Sequence, residues 1–229
     1  MFTNTEKLFH NPVVQRTAHK VVSVESLSSR TFVLRLEKNG FRFEAGQYAI
    51  LRIPELKQGR EYSIYSGADD PFLEFLIREI PEGNLSRYLH CVQPGEILEV
   101  EGPKGFFIQK EQKGQGAPLL FVATGTGISP FHSFVRSFPD LNYTVLHGVR
   151  SEKEACGRQT FKQKRFILCT SQSDRGDYLG RVTAYLKEHP IAPDAICYLC
   201  GNSEMIDEAT RILEGYGILP ENIRTEAFF

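Results

Sequence analysis

The sequence has 229 residues, 41% hydrophobic and 24% charged, which is the balance of a globular chain and too apolar for a disordered one. Lys and Arg number 27 against 28 Asp and Glu, so the formal net charge is -1 and the basic excess that nucleic-acid binding needs is missing. No apolar run approaches the ~20 residues that span a bilayer, and five cysteines without a repeating spacing make no disulfide framework. The expected protein is therefore cytoplasmic, with neither membrane nor nucleic acid as partner.

At about 150 residues per domain the length permits one large domain or two compact ones. The first half reads as short strands between turn residues. Arg30–Leu36 alternates, with Phe32, Leu34 and Leu36 on one face. Further β-rich runs follow at Gln47–Ile53, Glu61–Ser66, Phe72–Arg78 and Glu96–Val100, the rhythm of a barrel or sandwich. Asn84–Leu89 interrupts it after Gly83, with Leu85, Tyr88 and Leu89 at helical spacing. A polar, glycine-containing stretch, KEQKGQGAP, then marks the expected linker and divides the chain into residues 1–112 and 113–229.

Beyond the linker, strand and helix patterns alternate. Strands are expected at Leu119–Ala123, Tyr143–Gly148, Arg165–Thr170 and Ile196–Leu199. Helices are expected near Pro130–Ser137, Gly180–Glu188 and Glu204–Tyr216, the last with Met205, Ala209, Ile212 and Leu213 in one stripe. This alternation implies a parallel sheet covered by helices on both faces. The predicted architecture is two-domain: an N-terminal antiparallel β-barrel followed by an α/β domain.

The sharpest motif is the apolar strand Leu119–Ala123 running into Thr124-Gly125-Thr126-Gly127-Ile128-Ser129-Pro130. Ser129 and Pro130 suit the N-cap and first position of a helix. The glycines allow close backbone approach, and free N–H groups at a helix start attract phosphate. The motif is not a P-loop, since no Gly-Lys-Ser/Thr follows, and it departs from Gly-x-Gly-x-x-Gly at Pro130. About 20 residues on, the second strand ends at Val149-Arg150 with no carboxylate before Glu152, which favours a 2′-phosphate, hence NADP(H), over a bare ribose.

In Arg60-Glu61-Tyr62-Ser63, Arg60 and Tyr62 share one strand face and Ser63 takes the other. Guanidinium, ring and hydroxyl together suit a phosphate and a flat ring system; taken alone, an outward-facing barrel strand is the simpler reading. Gly83-Asn84-Leu85-Ser86 offers a second helix N-terminus. Cys197-x-x-Cys200 is a single pair without partners for zinc, and no Cys-x4-Cys-x2-Cys run exists for an iron–sulfur cluster, so no metal is expected. His147, in an apolar strand, reads as a packed core residue.

These pieces in this order, with Cys200-Gly201-Asn202-Ser203-Glu204-Met205 and an aromatic C-terminus, resemble the bacterial type of the ferredoxin/flavodoxin–NADP(H) reductase family, from about residue 14 onward. The resemblance implies an FAD-binding barrel and an NADP-binding α/β domain. It implies that Arg60 meets the FAD pyrophosphate, Tyr62 stacks on the isoalloxazine and Ser63 approaches N5, with Glu61 on the same strand of the site. Gly83, Asn84, Leu85 and Ser86 would serve the same pyrophosphate. Gly105 matches the turn leading out of the barrel. Thr124, Gly125, Thr126 and Gly127 would face the NADP pyrophosphate, Arg150 and Arg181 its 2′-phosphate, and Cys200, Gly201 and Glu204 the nicotinamide.

Phe228 or Phe229 would cover the flavin, the other packing nearby. Ser63, Cys200, Glu226 and Phe228 are thus the expected catalytic residues, with Glu226 a proton relay. The family's third arginine is replaced by Thr170-Ser171-Gln172-Ser173, with Arg175 close enough in sequence to substitute, so NADH would be tolerated. The implied reaction is hydride exchange between NADP(H) and FAD coupled to single-electron transfer with a transient ferredoxin or flavodoxin partner. An NAD(P)H-dependent flavin reductase or oxygenase reductase component is the alternative.

Overall fold

The structure, a computed structural model, describes residues 15–53, 58–108 and 117–228. The expected boundary at 112/113 and Phe229 lie outside the described residues.

The alternating runs of the first half form six antiparallel strands: β1 (Gln15–Ser26), β2 (Thr31–Glu37), β3 (Tyr48–Ile53), β4 (Gln58–Ser63), β5 (Phe72–Arg78) and β6 (Ile97–Lys104), in the order β4-β3-β6-β1-β2-β5. An Ile64–Phe75 bridge joins the two ends of this order, so the sheet curls into a half-barrel. Phe32, Leu34 and Leu36 are fully buried inside it, as their period of two requires. The helix α1 (Asn84–Cys91) adds Leu85 and Leu89 to that core. Its last turn is pinned by His90, which stacks on Phe32 with ring centroids 4.4 Å apart and bonds Glu79 Oε2 at 2.6 Å and Ser26 Oγ at 3.1 Å.

The second half supplies β7 (Leu119–Thr124), α2 (Ser129–Ser137), β8 (Tyr143–Val149), β9 (Phe166–Thr170), β10 (Tyr178–Leu179), α3 (Val182–Glu188), β11 (Ile196–Gly201), α4 (Ser203–Gly215) and β12 (Ile223–Ala227). The strands are parallel, in the order β10-β9-β8-β7-β11-β12. Successive residues of β7 serve opposite cores: Leu120 and Val122 pack with the α3 and α4 residues Leu186 and Leu213, while Phe121 and Ala123 pack with Phe131 and Phe134 of α2. Burial on both faces is why β7 is a continuous apolar run.

Three expectations shift. Ser129 does not cap α2: residues Gly125–Ile128 form a 3₁₀ turn that runs into the helix, and the Ser129 hydroxyl donates to the Thr126 carbonyl at 2.7 Å. β4 begins earlier than expected and stops at Ser63, because Tyr65 leaves the β3 ladder and donates its N–H to the Glu74 carbonyl at 2.8 Å. β1, β10 and β12 escaped the periodicity reading; β1 buries only His19 and Val21, too sparse an alternation to register.

The two halves share one core. Val33, Ala45, Tyr65, Leu76 and Phe107 of the barrel side lie in the same cluster as Phe121, Phe131, Phe134 and Tyr198 of the α/β side. Phe107 meets Tyr198 edge-on at 5.3 Å, and Tyr65 stacks on His132 at 3.6 Å. His132 donates from Nδ1 to the Tyr65 carbonyl at 2.7 Å and bonds Thr160 Oγ1 through Nε2 at 2.9 Å. Around this centre Arg136 pairs with Asp70 at 2.7 Å, and Ser137 Oγ accepts the Ala68 N–H at 2.8 Å.

Burial holds His132 neutral, its pKa lowered to about 4. Between that value and the ordinary 6.5, the unfolded chain binds a proton that the folded one refuses. Stability is thus expected to fall as pH drops through this window, with His132 contributing up to ~3 kcal/mol. Urea unfolding of wild type and His132→Gln at pH 7 and pH 4.5 checks this: the loss on acidification should be smaller in the variant.

Candidate functional site

The strand order reverses at β7, which has β8 on one side and β11 on the other. In open parallel sheets the carboxyl ends of the strands diverge at such a point and leave a crevice for ligand. A cleft of about 1030 Å³ opens there. Thr124, Gly125 and Thr126 line it from the end of β7, Arg150 from the residue after β8, and Gly201 and Glu204 from β11 and α4.

The backbone makes this crevice possible. Gly125 has a φ of +54, and a Cβ there would meet nothing within 4 Å, so the front of the turn is open. Gly201 has a φ of +141, and a Cβ would come within 2.1 Å of Thr124 Oγ1. That hydroxyl accepts the Asn202 N–H at 3.2 Å, tying the two strand ends together. Asn202 in turn caps α4, its Oδ1 accepting the Met205 N–H at 2.8 Å.

Not every expected residue faces the crevice. Gly127 is buried against the Cys200 carbonyl, 2.4 Å from where its Cβ would be. The Cys200 side chain is fully enclosed in the shared core, where burial pushes its thiol well above the ordinary value, with Glu226 adding to the shift. Arg150 and Arg181 both line the cleft, as do Ser171 and Gln172. Arg175 instead reaches towards Glu152 at 3.9 Å and is largely exposed. Arg78 of β5 also lines the cleft. Sequence reasoning missed it, since only the junction of the two halves brings the end of a barrel strand to the parallel sheet.

The barrel side presents a second constellation. The exposed Arg60 makes its one hydrogen bond among the described residues with the Gly59 carbonyl, at 3.1 Å, and has no carboxylate partner among them. Tyr62 packs against the barrel core, and burial pushes its phenol up to about 12. The helix α1 packs beside β4, and at its N-terminus Gly83 is the cap residue and no side chain caps it. The N–H groups of Asn84, Leu85 and Ser86 thus lack intrahelical partners. Leu85 is buried, and Ser86 Oγ accepts the Ile80 N–H at 3.0 Å, so the Ser86 hydroxyl braces the loop that carries Gly83.

The two sides meet at Ser63. Its hydroxyl donates to Glu226 Oε1 at 2.9 Å, joining β4 of the barrel to β12 of the α/β sheet. Burial raises the Glu226 pKa to about 6, the Ser63 bond opposes the shift, and Glu61 adds to it. Glu226 is carried there by the ladder of β12 on β11, which pairs Cys200 with Glu226 and Gly201 with Ala227. Phe228 follows, its N–H donating to the Gly201 carbonyl at 2.7 Å and its side chain lining the cleft while packing on the shared core.

A guanidinium with no carboxylate partner among the described residues, a helix start without a side-chain cap and a half-buried phenol fit a diphosphate joined to a flat ring. An open glycine turn with arginines beyond it fits a second dinucleotide. The fold and these two donor sets define a flavoprotein that uses a pyridine nucleotide.

Comparison with known proteins agrees. Residues 18–108 match the oxidoreductase FAD-binding domain, and residues 121–211 match the oxidoreductase NAD-binding domain. The anthranilate 1,2-dioxygenase electron transfer component of Acinetobacter baylyi is 30% identical over 235 residues, covering 93% of this chain and 67% of that protein. Ferredoxin–NADP reductase B of Sorangium cellulosum is 38% identical over 145 residues, 59% of each. A ferredoxin NADP+ reductase from Neisseria gonorrhoeae, solved with bound FAD and NADP, superposes with a TM-score of 0.83 at 22% identity, covering 93% of this chain and 99% of that one. The chain belongs to the ferredoxin reductase-like family of FAD- and NAD(P)-binding oxidoreductases. It spans about two thirds of the length of the oxygenase electron-transfer components it matches. Among the described residues no helix is long and apolar enough to cross a membrane.

The Ser63 bond favours the charged carboxylate. Ser63→Ala is therefore expected to raise the Glu226 pKa above its value of about 6. A carbon-13 NMR titration of the Glu226 carboxyl measures the change directly, and an unchanged or lower midpoint would refute the assignment.

Proposed function

We propose that this oxidoreductase exchanges hydride between NADP(H) and FAD and passes single electrons to a ferredoxin or flavodoxin. The observation that carries the reading is the Ser63–Glu226 contact, which joins the barrel site to the dinucleotide cleft at one place. In this reading residues 1–112 hold FAD and residues 113–229 hold the nicotinamide nucleotide. Bound FAD supplies the chemistry that no side chain has, since it takes up electrons in pairs from a nicotinamide and releases them singly.

The residues of this chain bind and orient. Arg60 and the N–H groups at Asn84 to Ser86 hold the FAD diphosphate, and Tyr62 covers the flat ring. Glu61 sets the charge around Glu226. The Ser63 hydroxyl would lie at the reacting end of the ring, its proton on Glu226 and its oxygen free to accept, and Glu226, its pKa raised to about 6, would take or return a proton through it. The turn residues Thr124, Gly125 and Thr126 and the backbone at Gly201 hold the second nucleotide, with Glu204 at the nicotinamide end. Arg150 and Arg181 receive the 2′-phosphate. Phe228 occupies the nicotinamide's place and excludes water until it swings away.

A second reading, the reductase component of an oxygenase, rests on a specific observation. Several relatives bear that name, among them the toluate, naphthalene and anthranilate dioxygenase components. Ser171 and Gln172 line the cleft where the family's third arginine is expected, which weakens the selection for a phosphate and leaves NADH usable. Turnover of the FAD-loaded protein with ferredoxin, flavodoxin, an oxygenase component and free flavin separates the two readings.

Three outcomes follow. The purified protein should show a flavin band near ~450 nm; failure to take up FAD overturns the proposal, since this band belongs to the cofactor and not the chain. Arg150→Ala should weaken NADPH binding about ten- to hundredfold, the worth of a charge-assisted hydrogen bond, and leave NADH nearly unaffected. Deleting Phe228 and Phe229 should tighten nicotinamide binding and slow its release, and an unchanged Kd and kcat would show that the segment gates nothing.

A further inference from the structure

His147 stands in the middle of β8, fully buried, with Ala123 of β7 and Leu168 of β9 as its neighbours in register. Its ring meets Phe166 edge-on at 5.9 Å. Nε2 lies 2.9 Å from the Gly125 carbonyl oxygen, an acceptor only, so Nε2 carries the proton and donates. Nδ1 is then a bare acceptor, and among the described residues it has no hydrogen-bond partner. A buried polar atom left unpaired destabilises the fold, and such an atom in a native protein calls for an explanation. A leucine or phenylalanine would fill an apolar strand position without that cost.

The explanation lies at the other end of the ring. Gly125 begins the 3₁₀ turn whose first residues, Gly125 and Thr126, line the dinucleotide cleft, and no side chain caps its start. Its φ of +54 lies in a region that glycine enters freely and leaves as freely. Nothing packs against the open front of Gly125 to fix it. The carbonyl of Gly125 points back into the sheet because His147 holds it there, and with each peptide planar this constrains the direction of the N–H groups that follow.

We propose that His147 is a positioning residue for nucleotide binding: its Nε2–H anchors the Gly125 carbonyl inward so that the N–H groups of the turn face the cleft. The imidazole suits this because burial keeps it neutral, with a pKa lowered to about 4, so the donor is the same throughout the physiological range and no charge is buried. The inference rests on the proposed nucleotide site and adds the residue that shapes it.

The test compares the FAD-loaded wild type with His147→Leu and His147→Gln, reading thermal midpoint, FAD retention and NADPH and NADH binding by titration. His147→Leu should keep FAD and a thermal midpoint close to wild type, because the loss of the bond to the Gly125 carbonyl is offset by removal of the unpaired nitrogen, while binding both nucleotides about tenfold more weakly. His147→Gln, which keeps a donor, should recover part of that loss. A purely structural histidine would give the opposite pattern, with a lowered midpoint and no selective loss of binding, and that result overturns the proposal. Should His147→Leu fail to fold, nitrogen-15 NMR of the wild-type imidazole decides: a proton on Nε2 is required, and a proton on Nδ1 refutes it. Wild type that binds neither NADPH nor NADH would sink the functional reading itself, while the tautomer would still report whether the His147–Gly125 bond exists.

Discussion

The aromatic junction between the two halves is the constraint on which the site depends. Phe107 leaves the barrel and packs among Phe131, Phe134 and Tyr198, so a shared core bridges the two domains beside the core that each keeps for itself. Rings held edge-on or offset at these distances resist sliding, because interiors at close-packed density have few alternative arrangements. Ser63 sits at the end of a barrel strand and Glu226 near the end of the last strand of the parallel sheet. A 2.9 Å bond between residues 163 apart in sequence is possible only because the junction holds both strand ends in register. A clip reinforces it: Arg224 on β12 bonds the Tyr198 hydroxyl, and both reach the carbonyl of Ile108, where the barrel hands the chain on.

Polar groups admitted to this apolar junction fall into two kinds. His132 is satisfied on both nitrogens and kept neutral, which makes it a ligature between the halves. Glu226 is held close to its point of ionisation, buried enough to resist charge and hydrogen-bonded enough to accept it. The same low-polarity surroundings push both groups towards their neutral forms, lowering the imidazole and raising the carboxyl, and in each the hydrogen bond opposes the shift.

The fold was legible wherever a strand or helix face is decided locally. The alternation of Phe32, Leu34 and Leu36 announces one buried face, and the unbroken apolar run of β7 announces two. The glycine turn, Arg60, Tyr62 and Ser63 could be placed because their residue types carry a chemistry at fixed spacing. What escaped is what only tertiary packing decides. β12 reads as polar because its partly covered Glu226 and Ile223 are flanked by exposed residues, and its strand character comes from its ladder with β11. Ser129 looks like a cap until the preceding residues are seen to coil already. The apolar strand around His147 announces its burial, but its bond to a carbonyl 22 residues away has no local pattern, and neither has the place of Arg78, which the domain junction decides.

A molecule built this way has little use for a hinge. Parting the domains would expose the stacked rings of the junction and break the His132, Arg136 and Ser137 contacts together, whereas Phe228 is tethered by one backbone bond at the mouth of the cleft. In the proposed function the ring of Phe228 is the part that moves, against a frame that serves as its stator. Reorientation of a single ring belongs to a far faster class of event than domain opening, so under that proposal packing at one residue, and not the mass and drag of two domains, sets how often the nicotinamide position is vacated.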